Sequence, residues 1–143
     1  MILLDTDILS YLVRHPEAVP LAVRVARVPL PQRFTSSITV GELLYGVARE
    51  RGRPGLRAEL QAEVFDRVIV LPFDFAAAEE YAQLRVLLER RGTPLPEADL
   101  RIAAIALAHN LTLITGNERH FGRVPGLRVE NWLRDDASQG ASP

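Results

Sequence analysis

The sequence predicts an α/β protein with a central parallel sheet of about five short strands, covered by helices on both faces. Short apolar runs alternate with amphipathic stretches along the chain, which is the pattern of parallel strands joined by helices. The length of 143 residues fits one domain and is enough to bury a substantial core. With 48% hydrophobic and 24% charged residues, the composition is that of an ordinary globular protein rather than a disordered one.

The chain begins with a predicted strand and two predicted helices. The apolar run Ile2–Leu4 ends at an acidic residue and predicts a buried strand. Ile8–Arg14 predicts a short helix with Thr6 or Asp7 as its N-cap. His15–Arg27 predicts a second helix, because a proline stands near its first turn.

The middle of the chain predicts two further strands, each followed or preceded by helices. Phe34–Ser37 is a short strand candidate, and Thr39–Arg51 carries apolar residues at the spacing of one helix face. Gly55–Arg67 predicts another helix. Val68–Leu71 predicts a strand that ends at a proline, and Asp74–Arg91 predicts a long amphipathic helix.

The last part of the chain predicts one helix and two strands. Glu97–His109 is a helix candidate that ends before an asparagine, a common C-terminal stop. Leu111–Thr115 and Leu127–Glu130 predict the last two strands. Because the final residues are mostly small or polar, we expect a single domain over 1–133 and a disordered tail over 134–143.

The composition excludes several classes of function. There are no cysteines, which excludes disulfides, thiolate zinc sites and cysteine nucleophiles. No apolar run reaches the length of a membrane-spanning helix, and the acidic start does not resemble a secretion signal, so we expect a cytoplasmic protein without a membrane partner. The net charge of −1 carries no basic signature for nucleic acid, and every basic residue is an arginine.

Four oxygen-bearing side chains are predicted to meet at one edge of the sheet. In open parallel sheets, ligands bind beyond the carboxyl ends of the strands. Asp5 ends the first strand, and Glu42 lies early in the helix after the second strand. Asn117 lies two residues past the end of the predicted strand Leu111–Thr115. Asp99 opens the helix that leads into that same strand, so it starts from the same edge.

Asp99 carries the strongest individual signal. At 100° per residue it lies in the middle of the apolar stripe formed by Ile102, Ala103 and Ala106, so its carboxylate faces the protein. Burying an unpaired carboxylate is costly, so Asp99 needs a cation, a hydrogen-bond network or a raised pKa. The alternative is an acid favoured by the positive end of the helix dipole.

The other acids have structural interpretations of comparable weight. Thr39 and Glu42 have the spacing of a capping box, in which the Glu side chain reaches back to the cap N–H. Asp5 and Asp7 flank a threonine after a strand, where turns and N-caps favour Asp. The histidines, including His120, show no metal-ligand spacing and are interpreted as surface residues.

A cluster of carboxylates suits Mg²⁺, or alternatively Mn²⁺, rather than zinc. Such an ion acts on phosphate compounds by activating water and neutralising charge on a phosphodiester. Two other folds also place acidic residues at strand ends: the phospho-receiver domain and the haloacid-dehalogenase-type phosphatase, which begins with an Asp-x-Asp pair. Both folds need a catalytic lysine. Because this chain contains no lysine, the sequence argues against both of them.

Three stretches resemble the PIN-domain family, and specifically the VapC-type toxins of bacterial toxin–antitoxin pairs. They are MILLDTDILSYL, SSITVGELLYGV and ADLRIAAIALAHNLTLITGNERHFGRVPGLRVENW. The resemblance covers residues 1 to about 133. It implies a three-layer α/β/α domain and a ribonuclease that depends on Mg²⁺ or Mn²⁺. It also implies a homodimer that is neutralised by a VapB-type antitoxin and that reaches DNA only through this partner.

The resemblance also assigns roles to particular residues. Asp5, Glu42 and Asp99 match the acidic positions that hold metal, so it favours Glu42 as a ligand. Asn117 stands where many PIN domains carry a fourth Asp, which weakens the case for a second metal. Glu118 is a further carboxylate near this position. The supporting polar positions match Thr6, Asp7 and Thr115. Because of Asn117, the alternative function is a catalytically weak or inactive PIN-like module that binds RNA or protein.

Overall fold

A computed structural model describes residues 1–50 and 53–139. The helices in this part of the chain are α1 Thr6–Arg14, α2 Val19–Arg27, α3 Ser37–Arg49, α4 Leu56–Glu63, α5 Phe75–Arg90, α6 Glu97–Ala108, α7 Glu118–Phe121 and α8 Trp132–Gln139. The strands are β1 Ile2–Leu4, β2 Arg33–Ser36, β3 Ile69–Leu71, β4 Thr112–Ile114 and β5 Val129–Glu130. Short 3₁₀ turns lie at Leu30–Gln32 and Phe65–Arg67.

The five strands form one parallel sheet in the order β3-β2-β1-β4-β5. Side chains of β1 alternate between the two faces, so the sheet separates two hydrophobic cores. Leu3 packs with α5 and α6, whereas Ile2 and Leu4 pack with α1, α2 and α4. This arrangement confirms the predicted α/β fold with helices on both faces of a five-stranded parallel sheet.

Several element boundaries differ from the sequence-based prediction. The N-cap of α1 is Asp5, whose carboxylate accepts from the Thr6 N–H, so the prediction of Thr6 or Asp7 as the cap is wrong. Helix α2 begins at Val19 instead of His15, and α4 ends at Glu63 before a 3₁₀ turn. The predicted end of the third helix, at Arg51, lies outside the described residues.

Two helices, α7 and α8, occupy stretches that the sequence pattern left without structure. Helix α8 corrects the expected tail, because it runs from Trp132 to Gln139 and its first residue is buried. The guanidinium of Arg24 on α2 lies 4.2 Å from the centre of the Trp132 ring, and Arg24 also pairs with Asp135. These contacts hold α8 against α2. The remaining four residues of the expected tail lie outside the described part of the chain.

No helix in the described ranges is long and apolar enough to cross a membrane.

Candidate active site

The predicted site lies at the edge of the sheet where β1 and β4 end side by side. Asp5 directly follows β1, and its backbone N–H donates to the carbonyl of Ile114 on β4, 3.0 Å away. Thr115 directly follows β4 and is fully buried. Helices α3 and α6 begin at the same edge, because each crossover in a parallel sheet brings a helix start or end there. The sequence-based placement of this edge is confirmed by the strand pairing.

Asp5 is a buried carboxylate that is held by hydrogen bonds on both oxygens. Its Oδ1 accepts from the Thr6 N–H at 2.8 Å, and its Oδ2 accepts from the Thr115 hydroxyl at 2.7 Å. Only 6% of the residue is exposed. Burial, followed by the negative charge of Asp7, raises the pKa of Asp5 to about 7, and Asp99 adds to the same effect. A buried acid repelled by neighbouring acids favours a cation nearby.

Asp7 is a second constrained carboxylate at the same edge. Its Oδ2 accepts from the Gly116 N–H at 2.7 Å, while its Oδ1 is buried without a hydrogen-bond partner among the described residues. Burial raises the pKa of Asp7 above its ordinary value, although the bond from Gly116 opposes this change. An orphaned buried oxygen is rare in proteins, so it marks a position where a proton, a water or an ion belongs.

Glu42 lies in the second turn of α3 and bonds to Thr6 rather than to its own helix. The helix is capped by Ser36, whose hydroxyl accepts from the Thr39 N–H at 2.9 Å. The capping-box interpretation of Thr39 and Glu42 is therefore wrong, since Thr39 is already inside the helix. The Thr6 hydroxyl donates to Glu42 Oε2 and lies 3.1 Å from the Thr39 hydroxyl. Thr6 thus links Glu42 to Asp5, because its hydroxyl donates to Glu42 and its backbone N–H donates to Asp5.

Asp99 lies in the first turn of α6 and contacts a histidine that sequence reasoning placed on the surface. Its Oδ2 lies 2.8 Å from Nδ1 of His120, and 20% of its side chain is exposed. The side-chain Nδ2 of Asn117 lies 2.9 Å from the same ring nitrogen. The backbone N–H of Asn117 donates to the Thr115 hydroxyl at 3.0 Å. The structure therefore brings Asp99 and Asn117 together through His120.

Three of the four predicted site residues are joined by one continuous chain of hydrogen bonds. It runs from Glu42 through Thr6 to Asp5, and from Asp5 through Thr115 to Asn117. The fourth residue, Asp99, lies 2.8 Å from Nδ1 of His120, the same ring nitrogen that the Asn117 amide approaches at 2.9 Å. The sequence prediction missed His120. The signal for it was its position three residues after Asn117, which places both side chains on one face of a helical turn.

Glu118 is engaged away from these acids. Its Oε2 accepts from Nη2 of Arg134 at 2.7 Å and from Nδ2 of Asn131 at 3.2 Å. Both partners belong to the segment at the start of α8. Glu118 therefore connects α7 to the C-terminal helix.

The donors at this edge fit a hard divalent cation by their chemistry. They are carboxylate oxygens, which Mg²⁺ and Mn²⁺ prefer, and the raised pKa of Asp5 and the orphaned oxygen of Asp7 are both relieved by nearby positive charge. As the side chains stand, no three His, Asp or Glu residues within 1–50 and 53–139 converge closely enough to hold an ion. Binding therefore requires side-chain movement, and the exposed Glu42 is the residue with room to move.

Comparison with known proteins identifies relatives of this chain over nearly its whole length. The family model described as PIN domain matches residues 2–127. A ribonuclease VapC2 of Rickettsia felis is 32% identical over 91% of this chain and 96% of the relative. A tRNA(fMet)-specific endonuclease VapC of Shigella flexneri is 36% identical over 91% and 96% of the two chains.

Solved structures show the same similarity. A chain of the VapBC2 structure from Rickettsia felis, bound to a DNA fragment from its promoter, superposes with a TM-score of 0.82. The two sequences are 32% identical, and the match covers 92% of this chain and 99% of the other. A toxin–antitoxin complex from Klebsiella pneumoniae gives a TM-score of 0.68 at 25% identity, over 92% of this chain and 97% of the other.

Proposed function

The chain belongs to the PIN-domain family and, within it, to the VapC ribonucleases of toxin–antitoxin systems, and on this premise we propose that it is a divalent-metal-dependent endoribonuclease. The reaction is hydrolysis of RNA phosphodiester bonds. The observation that carries the metal dependence is the buried carboxylate of Asp5 at this edge of the sheet, whose pKa is raised by its burial and by the charges of Asp7 and Asp99.

Asp5, Glu42 and Asp99 are the residues that would hold the ion, which we expect to be Mg²⁺ or Mn²⁺. When bound, such an ion supplies an activated water and neutralises charge on the phosphodiester. Asp5 is the fixed ligand, because hydrogen bonds from Thr6 and Thr115 set the direction of both its oxygens. Glu42 and Asp99 complete the set from the two helices that flank the strand ends.

The supporting residues keep these acids in place and receive the substrate. Thr6 and Thr115 hold Asp5, and Asp7 holds the turn after β4 through the Gly116 N–H. Arg119 and Arg123 lie on and just beyond α7, and their side chains form no ion pair or hydrogen bond with the described residues. Their free guanidinium groups suit RNA phosphates on either side of the cleaved bond.

We assign a VapB-type antitoxin and a second copy of the chain as partners, and the cytoplasm as the location. Solved relatives include toxin–antitoxin complexes, one of them bound to promoter DNA. We assign contact with DNA to the antitoxin alone, because the relative from Rickettsia felis is bound to promoter DNA as a VapBC2 complex. The substrate class is RNA, and the Shigella relative makes transfer RNA the first candidate to test.

The first experiment compares wild type with Asp99→Asn on total RNA and on transfer RNA. Each protein is purified free of antitoxin and incubated with Mg²⁺, Mn²⁺ or EDTA. We expect discrete products from wild type with metal, and a loss of 10²-fold or more in rate from Asp99→Asn, since one ligand carboxylate is removed. Both proteins should show the same circular dichroism spectrum. Full cleavage by a folded Asp99→Asn variant, or cleavage in EDTA, contradicts the proposal.

A second candidate function is a PIN-like module that binds RNA or protein without cutting it. The amide of Asn117 favours it, because an amide is a weaker ligand than a carboxylate, and so does the lack of three converging ligands in the described residues. This candidate predicts RNA affinity that is equal with Mg²⁺ and with EDTA, and no product with either metal. Loss of RNA binding on chelation excludes it.

A further inference from the structure

His120 has a single ring nitrogen that faces two site residues. Its Nδ1 lies 2.8 Å from Asp99 Oδ2 and 2.9 Å from Asn117 Nδ2. An imidazole nitrogen has one in-plane position, which carries either a proton that is donated or a lone pair that accepts. Nδ1 therefore serves Asp99 or Asn117, but not both in these directions.

The charge of Asp99 decides between the two partners. With a lone pair on Nδ1, the nitrogen would face a carboxylate oxygen at hydrogen-bond distance, and the two acceptors would repel each other. With a proton on Nδ1, the contact becomes a hydrogen bond to a charged acceptor, which is stronger than the alternative bond from the neutral Asn117 amide. The N–H of His120 therefore donates to Asp99, and Asn117 is the competing neighbour.

The position of the histidine ring is set by its surroundings. Helix α7 is anchored by the next residue, Phe121, which is fully buried in the core shared by α5 and α6. The turn before α7 is tied to β4 through the Asn117 N–H and the Thr115 hydroxyl. These contacts make α7 a firm support, so the bond to Asp99 constrains the carboxylate more than it constrains the histidine.

The bond from His120 leaves one oxygen of Asp99 available. Within the described residues, Asp99 Oδ1 has no hydrogen-bond partner, and 20% of the side chain is exposed. A carboxylate on the first turn of a helix can rotate about two side-chain bonds, and a hydrogen bond to one oxygen removes most of this freedom. The free oxygen is then held in one direction.

We propose that His120 is a positioning residue, whose Nδ1–H holds Asp99 Oδ2 so that Oδ1 is presented to the divalent ion. The inference rests on the proposed function, because it assigns Asp99 as a metal ligand. Hydrogen-bond partners of metal ligands commonly contribute about 10–100-fold to metal affinity or activity. His120 is therefore expected to contribute on that scale without touching the ion or the RNA.

The test uses three substitutions that separate the two ring nitrogens. His120→Asn places an amide N–H where Nδ1 stands, His120→Gln places one near Nε2, and His120→Phe keeps the ring shape without a donor. Mn²⁺ binding is measured by calorimetry on the full, antitoxin-free chain. We expect Mn²⁺ affinity to fall about 10–100-fold for His120→Phe and His120→Gln, and to stay close to wild type for His120→Asn.

Two further measurements and one control variant complete the design. The melting temperature in EDTA shows that each variant folds. His15→Asn, a change at a half-buried histidine that pairs with Glu17 at the end of α1, serves as the control for loss of a histidine. RNA cleavage at a series of Mn²⁺ concentrations should show a raised half-activating concentration and an unchanged KM for RNA. If His120→Phe does not fold, His120→Gln tests the same bond.

The outcomes distinguish this inference from the proposed function. Unchanged Mn²⁺ affinity in His120→Phe and His120→Gln overturns the positioning role alone. The role is also overturned if His120→Gln keeps the Mn²⁺ affinity of wild type and His120→Asn loses it, because this result would indicate that Nε2 makes the important bond. If wild type neither binds Mn²⁺ nor cleaves RNA, the proposed function and this inference fail together.

Discussion

At the scale of single residues, the site places two carboxylates close together where only neutral groups donate hydrogen bonds to them. Asp5 and Asp7 stand two residues apart on one turn, Asp5 buried and Asp7 half-buried, and burial raises the pKa of each. Their hydrogen bonds come from Thr6, Thr115 and Gly116, which are neutral donors. The metal-free protein therefore holds charge that its own side chains do not balance, and this has a measurable consequence.

The free energy of unfolding of the metal-free protein should fall as pH rises from about 4 to about 7. Folded Asp5 keeps its proton up to a pKa of about 7, whereas the unfolded chain loses it near 3.8, so the stabilisation present at low pH disappears across this window. The loss is about 1.4 kcal/mol per pH unit at most. Urea unfolding in EDTA at several pH values measures it. Asp5→Asn should flatten the profile, and an equally steep profile in that variant would assign the effect to another group.

Gly116 is the glycine whose lack of a side chain matters most for the site. A Cβ at this position would lie 2.8 Å from Asp7 Oδ2 and 2.8 Å from Leu133 Cδ1. We expect Gly116→Ala to lower the free energy of unfolding by about 1–3 kcal/mol through overpacking, and to reduce cleavage because Asp7 must move. The matched control is Gly41→Ala on α3, where nothing lies within 4 Å, and which should stabilise the protein slightly. Chemical denaturation of both variants measures these changes. An equal change in the free energy of unfolding of the two variants would contradict the prediction.

At the scale of elements, the shortest helices do the most to shape the site. Helix α7 has four residues, yet it carries His120 to Asp99 and Phe121 into the core. Helix α8 reaches the same turn, because Leu133 approaches Gly116 and Arg134 pairs with Glu118. The C-terminal helix therefore supports the site from outside the sheet.

Trp132 is the anchor of α8, and its removal should detach that helix. The side chain is 6% exposed, packs in the core beside α1 and α2, and lies under the guanidinium of Arg24. We expect Trp132→Ala to lower the free energy of unfolding by about 3–5 kcal/mol. Ser138→Ala, at an exposed position of the same helix, should change it by less than about 0.5 kcal/mol. A loss below 1 kcal/mol for Trp132→Ala, measured by thermal unfolding, would show that α8 contributes little to the fold.

At the scale of the whole molecule, the sheet divides the chain into two cores and leaves apolar side chains on the outside. Exposed examples include Val19 and Val23 on α2, Tyr45 on α3 and Phe75 at the start of α5. Val19 and Val23 are one turn apart on the same helix, and contiguous exposed apolar residues are typical of surfaces that bind other proteins. An antitoxin and a second copy of the chain are the partners that we propose for these exposed groups.

Tyr45 is the residue we expect to lie in the interface between two copies. It is 65% exposed on α3 and is flanked by Arg49, whose guanidinium lies 5.7 Å from the ring centre. Tyr45→Asp should shift the antitoxin-free protein from twice its mass of 15.9 kDa to a single copy, since a charge would be buried. Sedimentation equilibrium measures the mass. Leu30→Asp, at an exposed site on the 3₁₀ turn before β2, is the control, and a dimer that survives Tyr45→Asp places the interface elsewhere.

Much of this architecture follows from the sequence. All five strands and six of the helices have apolar patterns strong enough to predict them, and the rule for parallel sheets places Asp5 and Thr115 at one edge. Asp99 was predicted to face the protein from its position in an apolar stripe, and its contact with His120 agrees with that expectation. These features depend on local periodicity and on the chemistry of single residues, so they can be derived without coordinates.

Other features depend on contacts between distant parts of the chain, and only the tertiary structure decided them. The residue that caps α3, the partner of Glu42 and the surroundings of His120 are set by hydrogen bonds that cross between elements. Helix α8 has only two large apolar residues, Trp132 and Leu133, which are too few to predict a helix, and Trp132 is buried in the core beside α2. A sequence pattern reports which face of an element is apolar, whereas the choice of polar partner depends on which side chains the fold brings within hydrogen-bond distance.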